Sequence, residues 1–264
     1  MGSAASLQGP LSAASPTELR GAFEALPEAE RQKLLTALQS TWTEAYGVCG
    51  RFASKDPAVT MKLILADAQI QVKEEAGAPW FTVMGHPEKA AEDQKDKAFW
   101  VAAFHSKEVY HTEHTTRASN KAFISELMAT CATGNPMVDM NGTYRGTMYY
   151  LEKPEAKVAG TMYVTLSTWN AKDADSAQKL LDLLKNELAS SCMSDPNLVQ
   201  CVLFPTMQMG GDVPEGVPKD DRNVKLVQVF KTEAKSSQDE KWKDLVEDPS
   251  KDYTVLEFKA QHFT

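Results

Sequence analysis

No run of apolar residues in this chain approaches the ~18–20 that a membrane-spanning helix requires, and no apolar leader segment opens it. A transmembrane helix is therefore excluded, an obvious secreted precursor is not indicated, and a cytoplasmic protein is expected. Basic charge is scarce: 28 Lys and Arg stand against 36 Asp and Glu, for a net charge of −8. The cations are scattered, whereas duplex binding draws its affinity from a basic face, so no nucleic-acid partner is expected. Cysteine is sparse too. Cys49, Cys131, Cys192 and Cys201 form no CxxC or Cys/His pattern, which argues for reduced thiols and against zinc. Only Cys192 and Cys201 lie close enough in sequence to suggest a pair. The phosphate-binding patterns GxGxxG and GxxxxGK[ST], the GxSxG elbow and the HExxH zinc spacing are all missing. Gly210-Gly211-Asp212 sits in a Pro-rich stretch and reads as a turn. What remains is ordinary: 42% hydrophobic and 24% charged residues, close to globular averages, over 264 residues. That length suggests about two domains.

Residues 1–16 are small, uncharged and turn-rich, and read as a disordered arm. Gly2 and Ser6 fit the short Met-Gly-x-x-x-Ser/Thr myristoylation pattern, but a plain tail is the preferred reading. No polybasic cluster follows, and one acyl chain alone anchors only marginally. Pro16-Thr17-Glu18 opens a helical extension over 17–42, with Leu19, Phe23, Leu26, Leu34, Leu35 and Leu38 as its apolar positions and Pro27 splitting it.

Two passes of one pattern follow. A strand-like run at 45–52 leads to Asp56-Pro57, an N-cap followed by proline at the first helical position. Val59, Leu63, Ala66 and Ile70 then mark an apolar stripe, and Gly77 ends the helix. Strands are expected at 80–84 and 98–104, a helix from Lys107 to about Cys131, and a strand at 143–151. The second pass starts at 160–169, where Met162, Val164 and Leu166 alternate with Tyr163, Thr165 and Trp169. Asp173 caps a helix carrying Ala177, Leu180, Leu181, Leu184 and Leu188. Strands at 199–207 and 223–231, a short helix at 237–247 and a strand at 253–263 complete it. Element order therefore predicts an α+β protein of two tandem ferredoxin-like (βαββαβ) repeats, at 43–153 and 157–264.

The strand 98–104, followed by Ser106-Lys107-Glu108-Val109-Tyr110-His111-Thr112-Glu113-His114 and then Asn120-Lys121-Ala122-Phe123, resembles the antibiotic-biosynthesis monooxygenase (ABM) domain. Lys73-Glu74-Glu75-Ala76-Gly77 ahead of the strand at Trp80 is similar to the end of that family's first helix. The resemblance covers roughly 45–152. It implies a dimeric α+β barrel, here fused into a pseudo-dimer that stays monomeric or forms a homodimer. It further implies a cavity between sheet and helices for a small aromatic or polyketide-like molecule, with chemistry that needs no cofactor. Haem-degrading relatives carry an Asn, a Trp and a His where this chain has Gly50, Phe104 and Phe123, so haem degradation is not expected.

His114 is the candidate catalytic base. It lies four residues after Tyr110 on one helix face and matches the family's recurrent helix histidine; an imidazole can take a proton from a phenol. The competing reading is a histidine that closes the cavity by bonding to strand backbone. Trp80, Trp100, Phe104, Trp169 and Asn170, with Tyr110, are candidate substrate contacts; plain core packing is the alternative for the rings, and a turn for Asn170. His111 and His114, with His105 or Glu108, fall short of a metal site, and none is expected. Two functions remain open: a monooxygenase of phenolic, quinol or polyketide-like substrates, or a non-catalytic ligand-binding or assembly module.

Overall fold

The computed structural model describes residues 42–87, 97–135, 139, 143–157, 159–205, 222–234 and 240–264, with 26, 27 and 30 ahead of them. The expected arm, nearly all of the 17–42 extension, the charged 88–96 stretch and the Met209–Asp221 loop lie outside the described residues, as does the side chain of Cys192.

Among the described residues eight strands form: β1 (Thr43–Ala53), β2 (Trp80–Gly85), β3 (Lys97–Phe104), β4 (Tyr144–Glu152), β5 (Gly160–Asn170), β6 (Leu198–Phe204), β7 (Asn223–Phe230) and β8 (Tyr253–Phe263). Four α-helices accompany them among the described residues: α1 (Pro57–Glu74), the single turn α2 (Lys107–Val109), α3 (Ala118–Ala129) and α4 (Ala174–Ser194). The strands close one barrel in the order β1-β3-β2-β8-β5-β7-β6-β4, every pairing antiparallel.

The expected two tandem ferredoxin-like repeats, each with its own sheet, are corrected by this closure. Phe81 pairs with Phe263 across the β2–β8 seam, and Tyr149 pairs with Leu203 across the β4–β6 seam. Backbone hydrogen bonds thus run continuously around a single barrel, and closure leaves no edge strand unpaired. The helices do not repeat either. Where a second helix was expected at 237–247, the chain forms a 3-10 turn at Glu240–Leu245.

Alternation along the strands divides the core into an interior and two outer layers. Cys49, Met84, Phe99, Met148, Val164, Leu166, Val202 and Phe258 fill the interior. Phe52, Phe81, Trp100, Phe104 and Tyr110 pack outside with Ile64, Ala68 and Leu127 of α1 and α3. Tyr163, Trp169, Leu203 and Leu226 pack outside under Leu180, Leu184 and Leu188 of α4. The α4 stripe is the one its leucine spacing predicts, and each fully buried large apolar side chain contributes roughly 1.5–3 kcal/mol. Cys49, Cys131 and Cys201 are buried, and burial pushes the Cys49 thiol up. No helix among the described residues is long and apolar enough to cross a membrane.

Candidate functional site

Two local irregularities build the site. Asp56 caps α1 by accepting from Val59 N at 3.1 Å, as its sequence implies. The face that α1 buries, however, is not the expected Val59-Leu63-Ala66-Ile70 stripe; it is Thr60, Ile64, Asp67, Ala68 and Gln71. Asp67 and Gln71 lie four apart on this face, and the buried C-cap residue Glu75 continues the spacing just past the helix end, so three polar side chains follow one line.

The expected continuous helix from Lys107 to Cys131 is broken instead. Ser106 caps α2, and Tyr110–His114 then form a π turn, with Thr115 N donating to Tyr110 O at 3.0 Å. The hydroxyls of Thr112, Thr115 and Thr116 bond back to carbonyls one turn earlier. Such bonding competes with the helix ladder and bends it, and π turns often mark functional sites. The chain then restarts as α3 at Ala118.

Between this irregular segment, α1 and the outer faces of β1–β4 lies a cavity of about 50 Å³. Asp67 and Gln71 line it from α1, Trp100 and Phe104 from β3, Tyr110 and His114 from the π turn, Phe123 from α3 and Arg145 from β4. Tyr110 and His114 are stacked with ring centroids 5.3 Å apart, and Phe104 lies 5.0 Å from each ring. The Arg145 guanidinium lies 6.0 Å from the Tyr110 ring centre.

Behind these rings sits a buried ionic network. His114 Nδ1 is 3.1 Å from Glu75 Oε1 and 3.3 Å from Oε2. Arg117 reaches Glu75 Oε1 at 2.8 Å and Asp67 Oδ1 at 2.5 Å. A carboxylate can only accept, so His114 Nδ1 donates and its Nε2 carries the lone pair. Two carboxylates share one guanidinium. Burial raises the Asp67 carboxyl above its ordinary value; Arg117 and His114 oppose the rise and Glu75 adds to it.

Of the residues singled out in the sequence, the structure brings His114, Tyr110, Trp100 and Phe104 together at this cavity. Trp80 faces the barrel interior, its ring 5.9 Å from Tyr150. Trp169 stacks on Tyr253 at 5.1 Å in the layer under α4. Asn170 sits beside Arg222, Glu247 and Asp252 at a separate polar cleft and accepts from Asn223 Nδ2 at 2.7 Å. Among the described residues, no group of three or more His, Cys, Asp or Glu is placed to hold a metal ion. Asp67, Gln71, Glu75, Arg117 and Arg145 were missed. The available signal was three polar residues four apart on a helix otherwise able to bury an apolar face.

No family model matches the chain, and no curated protein matches it. The fold itself is shared with solved structures. A proposed monooxygenase from Lactobacillus acidophilus superposes with a TM-score of 0.51 at 11% identity, covering 83% of this chain and 94% of that one. A proposed monooxygenase from Fusobacterium nucleatum gives 0.53 at 14% identity, covering 82% and 92%. At these identities the likeness establishes a common fold.

Proposed function

We propose that the cavity beside His114 is the active site of a small-molecule oxidase-like enzyme, and more finely of an ABM-type monooxygenase that acts on a phenol or quinol without a cofactor. The observation that carries this reading is the Glu75–His114 pair. It leaves Nε2 as a base at a cavity walled by Trp100, Phe104 and Tyr110. The fold shared with two proposed monooxygenases supports it.

In this reading His114 Nε2 takes the phenolic proton, and the Glu75 carboxylate stabilises the resulting imidazolium, the logic of a carboxylate–histidine pair. Arg145 offsets the phenolate charge. Dioxygen accepts electrons from the ring and bonds to a ring carbon, and His114 returns its proton to the peroxide. Loss of that carbon's hydrogen then breaks the O–O bond. One oxygen stays as a carbonyl and the other leaves as water, so a phenol and O2 become a quinone and H2O.

Oxygen uptake with a panel of hydroquinones tests this, comparing the parent with His114→Ala. General-base removal is expected to slow turnover roughly 10²–10⁴-fold; equal rates would remove His114 from the mechanism.

One observation favours the second reading, a non-catalytic binding or assembly module. The cavity of about 50 Å³ is far below the roughly 300–1,000 Å³ of ligand pockets. Half-buried Phe123 and exposed Ile124 of α3 also line it. A single ring enters only if they turn outward, and a module without catalysis would show no uptake with any quinol.

A further inference from the structure

The polar stripe of α1 contains one group that neither the ionic network nor the proposed proton transfer uses. Gln71 is fully buried, it lines the cavity, and neither its Nε2 nor its Oε1 has a hydrogen-bond partner in the protein. Its neighbours on the stripe, Asp67 and Glu75, are both engaged by Arg117. A buried amide left unpaired is costly, because both its donor and its acceptor have given up water. Replacing it with an apolar side chain of similar shape would cost nothing in packing. A protein that keeps it on the wall of a cavity keeps it for something that enters.

We propose that Gln71 is the recognition residue of the cavity, and that it selects an aromatic ring bearing two neighbouring oxygen groups, one donating to Oε1 and one accepting from Nε2. The chemistry follows from the amide. Its carbonyl and NH2 lie side by side, so one ligand edge that offers a donor next to an acceptor satisfies both. A vicinal diol on a ring does this; a lone phenol satisfies only one. The aromatic walls of Trp100, Phe104 and Phe123 take the ring itself. This inference rests on reading the cavity as a ligand site, and it makes the proposed substrate a catechol-type ring. Gln71 touches substrate as a binding and orienting group, while His114 remains the base.

Calorimetric titration under nitrogen tests it, with catechol, phenol and 1,2-dimethoxybenzene as probes against the parent, Gln71→Met and Gln71→Asn. The parent is expected to bind catechol at least about ten-fold more tightly than phenol or the dimethoxy compound, since an unpaired buried polar group is left behind otherwise. Gln71→Met removes the preference while its thermal midpoint without ligand stays or rises, because an unpartnered amide has become an apolar side chain. Gln71→Asn, one methylene shorter, folds and loses most of the preference. Equal binding of catechol and phenol by the parent overturns the proposal. So does an intact preference in Gln71→Met, and so does the absence of binding by all three probes. Oxygen uptake, measured separately, keeps the two readings apart. Preference without uptake sinks the oxygenase and leaves the Gln71 assignment; uptake without preference sinks the assignment alone.

Discussion

Replacing Glu75 with Gln keeps the shape of the side chain and removes only its charge. Glu75 is buried, accepts from His114 Nδ1 at 3.1 Å and lies 2.8 Å from Arg117 Nη1. Breaking a buried pair costs about 3–5 kcal/mol when the surviving charge is left alone. Here Arg117 keeps Asp67 at 2.5 Å, so a lower figure of about 2–3 kcal/mol is expected. For a chain of this size each kcal/mol moves Tm by roughly 2–4 °C, so Glu75→Gln should melt about 4–12 °C lower. The loss should grow beyond additivity in Glu75→Gln/Asp67→Asn, where the guanidinium has no carboxylate left. Activity should fall further than stability explains, because the amide can present its NH2 to Nδ1 and so favour the opposite imidazole tautomer. Melting followed by circular dichroism, with oxygen uptake on the same preparations, reads both effects. An unchanged Tm, or a double variant no worse than the singles, would refute the network.

Other consequences are independent of that pair. Gly50 faces Trp100 across the β1–β3 ladder, and a Cβ there would sit 1.8 Å from the indole. Gly50→Ala must therefore displace a cavity wall, costing roughly 1–3 kcal/mol by denaturant melting and lowering quinol turnover. His262 is buried at the β2–β8 seam between Thr82 Oγ1 and the Ala156 carbonyl, each at 2.7 Å. Burial depresses its pKa below the ordinary 6.5. On acidification the unfolded chain takes this proton first, so stability is unaffected well above pH 6.5, declines as pH falls below it, and levels off beneath the folded value. Urea melts of the parent and His262→Gln across that window should converge at acid pH. Trp242 packs on Tyr253 at 4.4 Å under α4, far in sequence from His114. Trp242→Ala should cost roughly 3–5 kcal/mol yet leave kcat/KM of the surviving folded fraction unchanged.

The local elements of the fold could be read because each carries its own signal. The period-two alternation of Met162, Val164 and Leu166 against Tyr163 and Trp169 marks a strand with two apolar faces, and both faces are buried. Asp56-Pro57 marks the start of α1, and the leucines of α4 mark its buried side. The resemblance implied a pseudo-dimer of two sheets, but closure of all eight strands into one continuous barrel could not be read, since β2 meets β8 and β4 meets β6 through backbone hydrogen bonds that any side chain permits. Tandem repetition was the wrong inference from a correct strand order, because the described part of the stretch expected to hold a last helix forms a 3-10 turn. At the site, the spacing of Tyr110 and His114 brought two rings to one face, and they do stack. The threonine cluster that loosens this turn into a π conformation went unread. Polarity misplaced the buried face of α1: Asp67, Gln71 and Glu75 look solvated until Arg117, fifty positions after Asp67, is seen to reach back to it.

The central claim is that Glu75 holds His114 with Nδ1 protonated, leaving Nε2 free to face a phenolic ligand in the cavity. Nitrogen NMR of the protein labelled at its histidine rings, recorded above the range where imidazoles titrate, measures this directly. The His114 signals should report a neutral ring protonated at Nδ1, with an Nε2 resonance that moves when phenol is added and an assignment lost in His114→Ala. A ring protonated at Nε2, or an Nε2 resonance indifferent to phenol, would contradict the account.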